Sequence, residues 1–184
     1  MPRASLSTDA VVEIALRILD EEGAPALTLS AVAARAGVAV PSLYKHVRNL
    51  AELRRLVSVR ILDELADQGT AVVMGRSGDE ALRAFMHAWR DYVGRYPARY
   101  AFVIQTPEPA LADAADRLLG VLFAVLRSYG LRDAELVHAA RTVRSAVHGF
   151  TGLEAAGGFG LPEKLDDSYE FLIHSIIAGL RTPR

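Results

Sequence analysis

Apolar positions recur three and four residues apart along nearly the whole chain, the spacing of one face of an α-helix. Between Ser7 and Gly23, the residues Val11, Ile14, Ala15, Ile18 and Leu19 form such a face, with Ser7 or Thr8 as cap and Gly23 as stop. "ALTLSAVAARAGV" predicts a second helix, capped by Thr28 or Ser30 and ended by Gly37, and "VPSLYKHV" a third. A longer fourth runs over "NLAELRRLVSVRILDELADQ", capped by Asn49. After Gly69, "GTAVVMGRSGDEA" reads as a loop, with Ser77 capping a helix that continues to Pro97. A short segment, "ARYAFVIQ", then precedes "TPEPA". Three further helices are predicted: Pro109 to Tyr129 with Gly130 as stop, "DAELVHAARTVRSAVHGFTGLEAA", and "DDSYEFLIHSIIAGL". Strand-type alternation is absent from the pattern, so the predicted class is all-α.

Three short helices with tight breaks inside about fifty residues suggest a helix-turn-helix unit. Val32, Ala33 and Ala36 form the inner face of its first helix, and Val38 plugs the turn. Gly37 supplies a left-handed turn residue without a Cβ penalty. Leu43 and Val47, four apart, point inward from the next helix, leaving Val40, Pro41, Ser42, Tyr44, Lys45 and His46 outward. Pro41 suits a first turn, where its missing N–H has no intrahelical partner. Small uncharged residues at a helix head permit close approach to base edges, and a valine can touch a thymine methyl. The phenol, ammonium and imidazole at the tail can donate to phosphates. A helical hairpin that never meets DNA would show the same Gly-turn pattern.

Charge changes the weighing. The 184 residues carry a net charge of −1, which taken alone disfavours a nucleic-acid binder. Between Pro25 and Arg60, however, Arg35, Lys45, Arg48, Arg54, Arg55 and Arg60 face a single acid, Glu52. The preceding stretch, Asp9 to Ala24, holds five acids and one base. A basic island in an otherwise acidic chain is a localised electrostatic footprint. Cysteine is absent, which removes disulfides and thiolate chemistry. No apolar run approaches the roughly 18 residues of a membrane span, and no secretory signal opens the chain, so the expected location is cytoplasmic. The five histidines are scattered, and "GGFG" at 157 to 160 lacks the Lys-Ser/Thr of a phosphate loop. No enzyme, metal or cofactor is expected.

The segment "ALTLSAVAARAGVAVPSLYKHVRNLAEL" resembles the N-terminal region of the TetR family of bacterial transcriptional regulators over roughly residues 8 to 60. The resemblance implies a three-helix helix-turn-helix domain over residues 1–50, with a connecting helix leading to a helical regulatory and dimerisation domain over 51–184. It places Ser30, Val40, Pro41 and Ser42 at base-facing positions, and Thr28, Tyr44, Lys45 and His46 at phosphate-contacting ones. Where the family usually has lysine, this chain has Leu50, which leaves Arg48 or Arg54 to supply that contact. The implied function is a ligand-responsive homodimeric repressor that binds an inverted-repeat operator on double-stranded DNA and is released by a small-molecule effector. A regulator without small-molecule input, or an all-α carrier or enzyme on the same scaffold, stands as the alternative.

"ARTVRSAVHGFTGLEAAGGFGLP", with its His-Gly-Phe and Leu-Glu elements, resembles the C-terminal regulatory domain of a subset of that family, more loosely and over roughly 77 to 180. In that family the last two long helices pair with those of a second subunit. Ser145, Gly149, Gly152 and Ala156 make a small-residue stripe at helical spacing, with Val143, Val147 and Phe150 beside it. Phe171, Leu172, Ser175, Ile176 and Gly179 follow on the final helix; a monomer core could use all of these equally well. For the effector, the candidate lining is Met86, Trp89, Tyr92, Tyr100, Phe102 and Phe123, with His87, Arg90 and Gln105 as polar handles.

Overall fold

The computed structural model describes residues 6–104 and 109–181, and among them every regular element is helical. The elements in chain order are α1 (Thr8–Glu22), α2 (Leu29–Ala36), α3 (Val40–Leu43), α4 (Leu50–Val73), α5 (Gly78–Arg95), α6 (Pro97–Ile104), α7 (Ala112–Arg127), α8 (Asp133–Ala155) and α9 (Leu165–Arg181). Short 3-10 turns at Ala24–Ala26 and Pro109–Leu111 complete the path. None of these helices is long and apolar enough to cross a membrane.

The chain divides into two compact units. The first is Met1–Glu64 with Tyr96–Ala114, so α6 joins the N-terminal helices although it follows α5 in sequence. Its core is mainly aliphatic: Val11, Ala15, Leu16 and Leu19 of α1 are buried, as are Val32, Leu43, Val47, Leu53, Val57 and Ile61, all essentially inaccessible. Capping follows the sequence closely. The Ser7 side chain accepts from the Ala10 amide at 3.1 Å, Thr28 from Ala31 at 3.1 Å, and Asn49 Oδ1 from Glu52 at 2.9 Å. Each satisfies one of the amides that a helix start leaves without a partner.

Arginines brace this unit from outside the core. Arg60 of α4 pairs with Asp9 (3.1 Å) and Glu13 of α1. Arg99 of α6 grips Asp20 (2.6 Å) and Glu64 (2.9 Å), with its guanidinium 4.2 Å from the Tyr96 ring centroid. The planar fork of arginine suits such two-partner geometry better than an ammonium would.

The second unit is Leu65–Arg95 with Ala115–Arg184. Here α5 packs on α8 and α9. Leu82, Phe85 and Met86 are buried with Leu126, Val143, Val147, Tyr169 and Ile173. The Tyr169 hydroxyl, fully buried, donates to the Met86 carbonyl at 2.6 Å, which removes the cost of an unpaired phenol. Arg90 lies across this packing: it donates to Glu154 at 2.5 and 2.8 Å and pairs with Asp166 at 2.9 Å. Its guanidinium also covers the Tyr169 ring at 4.8 Å.

Two boundaries differ from those predicted. The third helix ends at Leu43, and Tyr44 to His46 form turns rather than continuing it. The fourth does not stop at Gly69 but runs to Val73, leaving a much shorter loop. A Cβ on Gly69 would stand 3.0 Å from the Phe85 ring, so this glycine serves close helix approach and not termination. Ser77 precedes α5 as predicted, while the amide of Gly78 takes its partner from the Ser128 hydroxyl at 3.0 Å.

Candidate nucleic-acid interface

The turn between α2 and α3 is built by the sequence it contains. Gly37 sits at φ 66°, ψ 32°, and the amide of Val38 reaches back to the Ala33 carbonyl at 3.0 Å. That closure ends α2 and redirects the chain. Ala39 opens α3 in an extended conformation, and Pro41 occupies its first turn. Leu43 and Val47, fully buried, hold the short helix to the core beneath. After Leu43 the amides of His46 and Val47 both return to its carbonyl, at 2.8 and 3.0 Å. The Thr8 hydroxyl donates to the His46 carbonyl at 3.4 Å, tying this tail to the start of α1.

None of the nine residues predicted to meet DNA is buried. Thr28, Ser30, Pro41, Tyr44, Lys45 and Arg48 are exposed, and Val40, Ser42 and His46 are half-exposed. Tyr44 shows 54% of its surface, more than any other large apolar side chain described in the first unit, where Ile104 follows at 39%. The head of α3 is thus uncharged and accessible, while hydrogen-bonding side chains follow it.

The basic island is less bare than the sequence suggests. Arg35 pairs with Glu21 (2.6 Å) and Glu22 (2.5 Å), and Arg60 with Asp9 and Glu13. Arg54 donates to the Ala24 carbonyl at 3.4 Å and lies 5.6 Å from the Phe102 ring centroid. Arg48 places its backbone amide, Nε and Nη2 on the Glu52 carboxylate at 2.6, 3.1 and 3.2 Å. Hydrogen bonds from the Arg48 side chain and amide hold the Glu52 carboxyl below its usual range, and the same contact raises the Arg48 guanidinium. Among the described residues, Lys45 and Arg55 have no hydrogen bond or ion pair with an acid. The acids of α1 are the sequence signal for this neutralisation, visible as a run but not as partners.

In the second unit, Met86, Trp89 and Tyr92 are buried on α5, and Phe123 is half-buried on α7. Trp89 meets Phe85 edge-on at 5.7 Å. The cavity beside them, lined by Leu65, Gln68, Gly69, Phe85, Ala88, Trp89 and Leu118, measures about 10 Å³. That is room for a single water. Tyr100 and Phe102 belong to the first unit, where Phe102 packs under Arg54. Arg90 is the brace described above, and His87 Nε2 lies 2.7 Å from Glu170 Oε1. Gln105 falls outside the described residues.

On α8 and α9, Val143, Val147 and Ile176 are buried within the chain, and Phe150 and Leu172 are half-buried. Phe150 stacks between Tyr169 and Phe159, each at 4.9 Å. Ser145, Gly149, Gly152, Phe171, Ser175 and Gly179 remain exposed.

Comparison with known proteins accords with this geometry. Residues 11–55 match the family described as bacterial regulatory proteins, tetR family. Residues 82–176 match the tetracyclin repressor-like C-terminal domain. The HTH-type transcriptional regulator Rv0681 of Mycobacterium tuberculosis is 38% identical over 158 residues, covering 84% of this chain and 72% of that one. The HTH-type transcriptional regulator YobS of Bacillus subtilis is 32% identical over 181 residues, covering 97% and 95%. The crystal structure of BioQ with its natural double-stranded DNA operator shares the fold at a TM-score of 0.72 and 24% identity, covering 97% of this chain and 100% of that one.

Proposed function

The chain belongs to the tetR family of DNA-binding transcription regulators, and from that premise we propose that it acts as a homodimeric repressor of an inverted-repeat operator. The observation that carries this reading is the exposed, uncharged head of α3, followed by the exposed Tyr44 and Lys45. Val40, Pro41 and Ser42 approach base edges in the major groove, with Ser30 beside them. Thr28, Tyr44, Lys45 and His46 serve the phosphates that set register. Two such heads on a two-fold axis read half-sites one DNA turn apart, about 34–36 Å, so operator symmetry mirrors protein symmetry. The exposed side chains of α8 and α9 supply the subunit contact. Such a regulator works in the cytoplasm, where its DNA is.

Repression is relieved when a small molecule favours a conformation that misplaces the two heads; a coupling of about 1–3 kcal/mol is typical of such regulation. The effector enters the second unit along Met86, Trp89 and Tyr92, and its binding has to widen a cavity of about 10 Å³ beside them. That closed core also supports a second reading, in which abundance or a protein partner controls the regulator and no small molecule is involved. Thermal-shift screening against a metabolite library separates the two, since only the first predicts a stabilising ligand.

The DNA reading is tested by selecting from a randomised duplex library and sequencing the survivors. An enriched inverted repeat, bound with affinity that falls steeply with salt and is lost in Tyr44→Ala, is the expected result. Enrichment that ignores Tyr44 would remove α3 from the interface.

A further inference from the structure

Salt-dependent DNA affinity counts the cations that exchange counterions for phosphates, so it matters which cations of the first unit are free to do so. Six candidates lie between Pro25 and Arg60. Arg35 and Arg60 are each shared between two acids of α1, and both are about two-thirds covered. Arg54 is spread over the Ala24 carbonyl and the Phe102 ring. Arg48 is exposed but donates three times to one carboxylate, which it must abandon before reaching a phosphate. Lys45 and Arg55 remain.

We propose that Arg55 is a phosphate-contacting residue of this regulator and that, with Lys45, it provides the main electrostatic anchorage on DNA; this rests on the DNA-binding reading above. The placement supports it. Arg55 stands three residues beyond Glu52 on α4, a spacing that puts neighbours on the same helix face. Glu52 in turn is joined to Arg48, which directly follows the exposed Tyr44-to-His46 turns. Arg55 therefore belongs to the surface that continues from the tail of the reading segment. Arg55 is half-exposed, and Glu52, which attracts it electrostatically, spends its hydrogen bonds on Arg48, so the Arg55 guanidinium is held by no hydrogen bond or ion pair among the described residues. Arg17 also lacks an acidic partner among the described residues. It sits on α1, one turn from Glu13 and from Glu21, in a locally acidic setting that phosphates avoid. Arg55, and neither Arg48 nor Arg54, thus takes over the anchorage that Leu50 cannot give.

The measurement is fluorescence anisotropy of the full chain on its selected duplex, titrated at salt concentrations from about 50 to 200 mM. Each phosphate contact contributes about 0.9 to the slope of log affinity against log salt. Arg55→Gln and Lys45→Gln should each flatten it by about 1.8 for a dimer, two such contacts being lost. Arg60→Gln should leave the slope unchanged, because that cation is already spent on Asp9 and Glu13. Arg55 makes no hydrogen bond or ion pair among the described residues and only attracts Glu52 electrostatically, so its variant should melt close to the wild type, and the melting curve shows that the flattening is not unfolding. A wild-type slope in Arg55→Gln, or an equal flattening in Arg60→Gln, overturns the assignment while leaving DNA binding itself intact. A wild type with no salt-dependent duplex binding overturns the DNA reading, and this assignment with it.

Discussion

The segment from α3 to Arg48 and the outer faces of α8 and α9 are both surface, yet they are surfaced by different chemistry. The first exposes Pro41, Tyr44, Lys45 and Arg48, and the core beneath it is sealed by Leu43 and Val47. The second exposes Phe171 at 76% and Leu153 at 51%, among Ser145, Gly149, Gly152, Ser175 and Gly179. Hydrogen-bonding side chains on a short, close-approaching helix suit a polyanion whose edges must be read. Large apolar side chains set among small ones suit another helix, since small residues permit contact and the large ones supply buried area. Exposure alone does not distinguish the partners; the type of side chain that is exposed does.

The contrast makes predictions of decreasing size. Phe171→Arg places a charge in the apolar face of α9 and, if the proposed homodimer forms through that face, should leave the chain monomeric in sedimentation velocity. Operator affinity should then fall by about 10²–10⁴, the avidity two linked heads provide. A variant that stays dimeric would show that the α9 face is not the contact. Next comes a neighbouring pair on the other surface. Leu43→Ala, at a fully buried site, should cost about 2–5 kcal/mol in denaturant unfolding. Tyr44→Ala should change stability by no more than about 0.5 kcal/mol and yet abolish specific binding. If both variants unfold alike, Tyr44 is structural and the surface distinction fails.

Tyr169→Phe removes the buried hydroxyl that meets the Met86 carbonyl and should lower stability by about 1 kcal/mol, with DNA binding unchanged. The smallest effect concerns Glu52. Its folded carboxyl is depressed by hydrogen bonds from Arg48, so the unfolded chain takes up a proton first as pH falls. The resulting stabilisation is present above the ordinary glutamate value of about 4.3 and is lost as pH drops through the folded one. A carboxyl-detected NMR titration should place the Glu52 midpoint below that of an ordinary glutamate. Arg48→Gln should move it back up.

Much of the first unit was legible because its signals are local. Ser7, Thr28 and Asn49 each cap an amide three residues on, and Gly37 needs only its own backbone to turn left-handed. The alternation of Leu43 and Val47 with exposed neighbours likewise follows from helical spacing and burial. Gly69 misled because the same residue that ends one helix can let another approach, and only the Phe85 ring beside it tells which. The third helix stops short of its apparent length because Tyr44 to His46 keep helical spacing while the His46 and Val47 amides both fall back to the Leu43 carbonyl.

Sequence by itself determined most of the helices, the caps at Ser7, Thr28 and Asn49, the turn at Gly37 and the polarity of the segment that follows it, since each depends on contacts within a few residues. Tertiary structure decided which charges are free. Arg60 and Asp9 lie 51 residues apart, Arg99 and Asp20 lie 79 apart, and no periodicity links either pair. It also placed α6, with Tyr100 and Phe102, in the first unit. An ion pair or an aromatic contact forms wherever the folded chain brings two groups together, and distance along the chain carries no record of that meeting.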